Sequence, residues 1–158
     1  MSDFDKQDDL VIPQENPFQQ FIKMKSYLTI CSKKKRLLPC KRPAIRRYKS
    51  KRIDWLYGKS LQENIPMLIF SGKYGLLRPE DEIAWYNHKL KMQEVPGIVP
   101  RIVEQLKTHP ISDIYFYAEP KTNPNWEPYH IAIEQACQIT NIKLEWIQWK
   151  ESMLEETE

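Results

Sequence analysis

The sequence predicts an α/β domain, a three-layer sandwich around a small, mostly parallel sheet. Strand-like and helix-like segments alternate along the chain. The connections between successive strands are long enough to cross over and return parallel. A chain of 158 residues, 41% apolar and 28% charged, has the size and balance of one globular domain with a real core.

Residues 1–22 hold five acids, two prolines and few large apolar side chains, and read as a flexible acidic arm. The domain proper is expected over residues 23–150. Ser26 to Cys31, "SYLTIC", is β-branched and apolar enough for a buried first strand. A basic loop with two prolines follows over Lys33–Pro43. From Ala44 the positions Ile45, Tyr48, Ile53, Leu56, Tyr57 and Leu61 keep helical spacing, with a break near Ser50. Met67–Phe70 is the second strand. Val95–His109 is a helix carrying Ile98, Ile102, Val103 and Leu106 on one face and stopped by Pro110. Ile114–Ala118 is the third strand, and Trp126–Thr140 an amphipathic helix through Ile131, Ile133, Ala136 and Ile139. Ile142–Trp149 alternates only in part and suits a fourth strand at an edge; residues 151–158 form an acidic tail, expected to fray.

No apolar run approaches the roughly 20 residues that span a bilayer, so no membrane partner is expected. The first nine residues are acidic and polar, unlike a signal peptide, which makes the cytoplasm the expected compartment. Cys31, Cys40 and Cys137 include no CxxC pair, and His88, His109 and His130 are scattered. The spacing therefore points to no disulfide scaffold, no metal site and no cofactor motif.

Charge is segregated. Lys33 to Arg52 contains eleven Lys or Arg and no acid, while the other 138 positions carry 13 basic and 21 acidic residues. Such a run suits an anionic partner, or simply a solvated basic face. Beside Lys33 and Lys35, its candidate nucleic-acid contacts are Lys34, Arg36, Lys41, Arg42, Arg46, Arg47, Lys49, Lys51 and Arg52.

Ligands of open parallel sheets bind outside the carboxyl ends of the strands. Three loops leave such ends here. The first carries Cys31, Ser32 and Lys33–Lys35; the second is Ser71-Gly72-Lys73-Tyr74-Gly75; the third runs from Glu119 to a helix start at Asn125–His130. Gly72 and Gly75 are two of only four glycines in the chain, so this loop either turns tightly or brings backbone N–H groups close to an anion. The candidate ligand-binding residues are Ser32, Lys33, Lys35, Tyr48, Ser71, Gly72, Lys73, Tyr74, Gly75, Tyr86 and Tyr129. Candidates for proton transfer or nucleophilic work are Asp81, Glu119, His130 and Cys31, each with a plainer structural reading beside it.

The segment Phe70–Tyr86, "FSGKYGLLRPEDEIAWY", resembles the signature of peroxide-stress-resistance proteins of the YaaA type through Ser71, Gly72, Tyr74, Gly75, Leu77, Arg78, Pro79, Asp81, Ile83 and Tyr86. Over residues 26–135 the chain is similar to a family of small bacterial and phage domains of unknown function. Cys31, Ser32, Lys35, Pro43, Ala44, Tyr48, Ser71, Lys73, Tyr74, Gly75, Leu76, Leu77 and Tyr86 carry that likeness. Related segments occur in archaeosine synthase, in a domain similar in fold to uracil-DNA glycosylases. The resemblance implies a Rossmann-like sheet in a nucleic-acid or nucleobase setting; between Lys35 and Pro43 this chain departs from the pattern with a second Cys and extra basic residues.

Three readings follow. The first is an α/β domain that binds a nucleotide, nucleobase or nucleic-acid base, with action on that ligand left open. The second is a noncatalytic, stress-linked DNA- or RNA-binding module using residues 33–52. The third is an interaction domain for an acidic protein. The first two share a phosphate-bearing partner, and neither fixes an oligomeric state.

Overall fold

A computed structural model of the chain describes residues 24–157. The expected acidic arm over 1–22 lies outside the described residues. The elements run β1 (Lys25–Ile30), β2 (Arg42–Pro43), α1 (Ala44–Arg47), α2 (Lys51–Glu63), β3 (Met67–Ser71), β4 (Gly75–Leu77), β5 (Glu82–Ile83), α3 (Val95–Lys107), β6 (Asp113–Ala118), α4 (Glu127–Thr140) and β7 (Lys143–Gln148). A short 3₁₀ turn at Met92–Glu94 leads into α3, and a second one covers Glu151–Thr157.

The main sheet has five strands in the order β4-β3-β1-β6-β7. Four of them are parallel, and β4 returns antiparallel on β3. This is an α/β fold with helices around a mostly parallel sheet. Its central strands read as near-continuous apolar runs because both faces are covered: β3 is buried at every position, and β1 at all but Lys25. The edge strand β7 is half-exposed, as its broken alternation suggested.

Local chemistry sets the helix ends. The break near Ser50 is an N-cap: Ser50 Oγ accepts the Ile53 N–H at 3.2 Å and starts α2. α2 and α4 both stop at an asparagine in the left-handed region, Asn64 and Asn141. Packing contradicts the spacing at two positions. Leu61 is 64% exposed and Ile139 63%, each lying just outside the buried stripe of its helix.

Two stretches are more ordered than their composition implied. "GLL" after the glycine turn forms β4, pairing Ile69 with Leu77. Over its described part the acidic tail forms the final 3₁₀ turn, packed beside α2 with Met153 against the core. Among the described residues, no helix is long and apolar enough to cross a membrane.

Candidate functional site

The strand order sets the site. From β1 the chain crosses to β3 on one side; from β6 it crosses to β7 on the other. The loops leaving these adjacent strands therefore diverge and open a crevice between them, as open α/β sheets do where the order reverses. A cavity of about 540 Å³ lies at that point. Four segments wall it: Cys31–Lys35 after β1, Lys49, Ser50 and Arg52 at the start of α2, Asn87–Lys89, and Asn125, Trp126 and Tyr129 at the start of α4. Among the described residues, no Asp or Glu lines it.

Arg52 closes the floor. Its guanidinium donates to Ile30 O at 2.8 Å, to Cys31 O at 3.3 Å and to Thr29 Oγ1, and it lies 4.9 Å from the centre of the Trp126 ring. Burial pushes it down to about 10, so it stays charged at neutral pH. Tyr129 ties two walls together. Its hydroxyl accepts the Leu90 N–H at 3.0 Å and lies 3.7 Å from Cys31 Sγ, and burial raises its pKa.

Lys35 is placed by a short antiparallel rung. Lys35 bridges Tyr48, Arg36 N–H donates to Arg47 O at 2.8 Å, and Lys49 N–H donates to Lys34 O at 3.0 Å. The Lys35 Nζ then stands 4.5 Å from the centre of the Tyr86 ring. Burial lowers its pKa from the ordinary lysine value, against an opposing influence from the Cys31 thiol. On the facing walls, Lys89 Nζ donates to Asn125 Oδ1 at 2.5 Å and His88 Nε2 lies 2.9 Å from Glu94 Oε2. The Lys91 N–H, and then His88, hold the Glu94 carboxyl below its usual range.

The glycine loop is not a wall of this cavity. Ser71 Oγ accepts the N–H groups of Lys73 and Tyr74 at 3.1 and 3.0 Å, so those donors are consumed inside the turn. Ser71 Oγ also lies 2.8 Å from Tyr86 OH, which is 2.5 Å from Tyr48 OH. Ser71, Tyr48 and Tyr86 thus form a buried hydroxyl chain, and burial raises both phenols. Tyr74 packs edge-on against Tyr86. The Lys73 ammonium is exposed over the Tyr74 and Tyr86 rings. Gly72 and Gly75 serve the turn's close packing, Gly75 with φ +76°.

Three of the four candidates for proton transfer or nucleophilic work sit elsewhere. His130 is buried between Phe116 and Trp146 with Nε2 on Glu119 O at 2.7 Å. Glu119 Oε1 accepts from Asn123 at 2.7 Å, which staples its own loop. Asp81 accepts the Arg78 N–H at 2.8 Å and pairs with its guanidinium at 2.9 Å. The adjoining Arg78–Glu80 line a different cavity, about 410 Å³, at the amino ends of the strands. Only Cys31 reaches the crevice, 9% exposed.

The basic run divides. Lys33, Lys34, Lys35, Lys49 and Arg52 line the cavity. Arg47 is fully buried, with its donors on carbonyls of Arg36, Leu38, Cys40 and Ile83, so it is no surface contact for a nucleic acid. Arg36 donates to Arg46 O and Tyr48 O and lies near Asp54. Arg42 pairs across β2–β5 with Ile83, next to Glu82. Lys41, Arg46 and Lys51 remain exposed.

Sequence reasoning did not select Ser50, Asn87, His88 or Lys89 as site residues, and it named Asn125 and Trp126 only as a helix start. The strand-end rule reaches Asn125 and Trp126. Nothing in the sequence marks 87–89, which arrives by the packing of an irregular segment. Among the described residues, no group of three or more His, Cys, Asp or Glu is placed to hold a metal. No family model, curated protein or solved structure matches the chain.

Proposed function

We propose that the domain binds a nucleotide in the crevice between the carboxyl ends of β1 and β6. One observation carries the reading: among the described residues, six cationic side chains and no carboxylate line a cavity where an α/β sheet reverses its strand order. Its volume falls within the range of roughly 300–1,000 Å³ common for small-ligand sites. The lysines suit phosphate, and the Asn87 and Asn125 amides beside Trp126 and Tyr129 suit a base. The resemblance to domains of nucleic-acid and nucleobase chemistry points the same way. The reading stops at binding, because Asp81, Glu119 and His130 are engaged elsewhere.

The noncatalytic nucleic-acid module is supported less. It needs a continuous basic face, whereas Arg47 turns inward and Arg36 and Arg42 have acidic neighbours.

Lysine replacement tests the site. Lys35→Ala should weaken binding of nucleoside monophosphates by about tenfold in titration calorimetry, the scale of one lost charge-assisted contact. Lys73→Ala, outside the cavity, should leave it unchanged. Absence of binding with all four bases at millimolar concentration, or the opposite ranking of the two variants, would sink the assignment.

A further inference from the structure

We infer that the ligand is a nucleoside polyphosphate, with two or three phosphates in a row; this rests on the nucleotide reading above and specifies it. The charge around the cavity motivates it. Arg52 spends its donors on two carbonyls and a hydroxyl, all neutral, and the Glu119 carboxylate acts on it only from beyond hydrogen-bond contact. Lys89 is bound to an amide and Lys35 stands over an aromatic ring. Lys33, Lys34 and Lys49 are exposed, and among the described residues none has a carboxylate partner. The positive end of the 13-residue helix α2 adds to this field, since Ser50 lines the cavity.

Six like charges around about 540 Å³ repel one another until an anion enters. A monophosphate brings about two negative charges at neutral pH, which leaves most of the cluster uncompensated. A chain of two or three phosphates compensates more of it and is long enough to meet separate lysines. The described lining has no carboxylate to share a divalent cation with the phosphates, so the lysines themselves do the neutralising.

The test is calorimetry in EDTA, which keeps divalent cations from masking the phosphates. Nucleoside mono-, di- and triphosphates of all four bases are compared with inorganic phosphate, pyrophosphate and tripolyphosphate, and with a single-stranded oligonucleotide bearing a 5′-hydroxyl. Affinity should rise about tenfold with each added phosphate, and the best triphosphate should bind more tightly than tripolyphosphate. Combining Lys33→Ala, Lys34→Ala and Lys49→Ala, all exposed positions, should flatten the series without lowering the melting temperature, since it relieves repulsion in the empty cavity.

Monophosphates binding as tightly as triphosphates would overturn the polyphosphate inference and leave the nucleotide site standing. Tripolyphosphate matching the best triphosphate would remove the nucleoside from it. An oligonucleotide binding more tightly than any free nucleotide would replace it with a nucleic acid. No binding by any probe would overturn both this inference and the reading beneath it.

Discussion

Arg47 shows how one residue changes meaning between a sequence and a fold. In the chain it is one of eleven basic residues in an acid-free run. In the structure its fork reaches the carbonyls of Arg36, Leu38 and Cys40 at 2.7, 2.9 and 2.7 Å, and that of Ile83 at 3.3 Å. A rigid planar group with five donors can hold a loop open in this way, and a lysine cannot. Arg47→Met should therefore cost about 1–3 kcal/mol in urea unfolding, because it leaves the buried Ile83 carbonyl and three part-buried ones without their donor. Arg47→Lys should recover little of that loss, whereas removing the exposed Arg46 side chain should cost almost nothing. Lys35 and Lys73 make the same point for the site. Both follow a strand end, but of the two only Lys35, placed by its rung with Tyr48, borders the crevice.

At the scale of elements, the β3–β4 hairpin supports the cavity without lining it. A Cβ on Gly72 would fall 2.7 Å from Leu90 N and 3.1 Å from His88 O, both backbone atoms of the segment that carries Lys89. The hairpin is thus packed directly behind one wall. Gly72→Ala should destabilise the fold by about 1–3 kcal/mol, the cost of overpacking, and should also weaken nucleotide binding by displacing residues 88–90. Gly58 offers the contrast, since it sits within α2 and an added Cβ there would meet open space. Gly58→Ala should raise stability by about 0.5–1 kcal/mol in urea unfolding and leave binding untouched.

The whole molecule carries an alkaline limit in its core. Burial raises the Tyr48, Tyr86 and Tyr129 phenols above their ordinary value and pushes the Cys137 thiol up to about 12. Each group holds its proton longer when folded than when unfolded. Their contribution is complete below the unfolded values, near 8.5 for a thiol and 10 for a phenol, and is lost as pH rises beyond them. Unfolding free energy should fall steadily above about pH 9. Cys137→Ala should remove the earliest part of that slope, and ultraviolet titration should show buried tyrosines ionising only with unfolding. A folded protein whose tyrosines all titrate near 10 would contradict this core.

The alternation of strands and helices, the core stripes, the Ser50 break and the edge strand were legible because they rest on periodicity and capping, which are properties of neighbouring residues. The three-residue β4 was not, since so short an apolar run has no period of its own and forms only against β3. For the site, the sequence by itself determined that lysine-rich and asparagine-bearing loops leave strand ends. Which of those loops face one cavity was decided by strand order, through the divergence of crossovers from β1 and β6. The inward turn of Arg47 and Arg52, and the arrival of Asn87–Lys89 at the wall, were likewise decided by packing between residues far apart in the chain. Charge is written in the sequence; whether it meets solvent, a carbonyl or a ligand is settled only when the chain closes on itself.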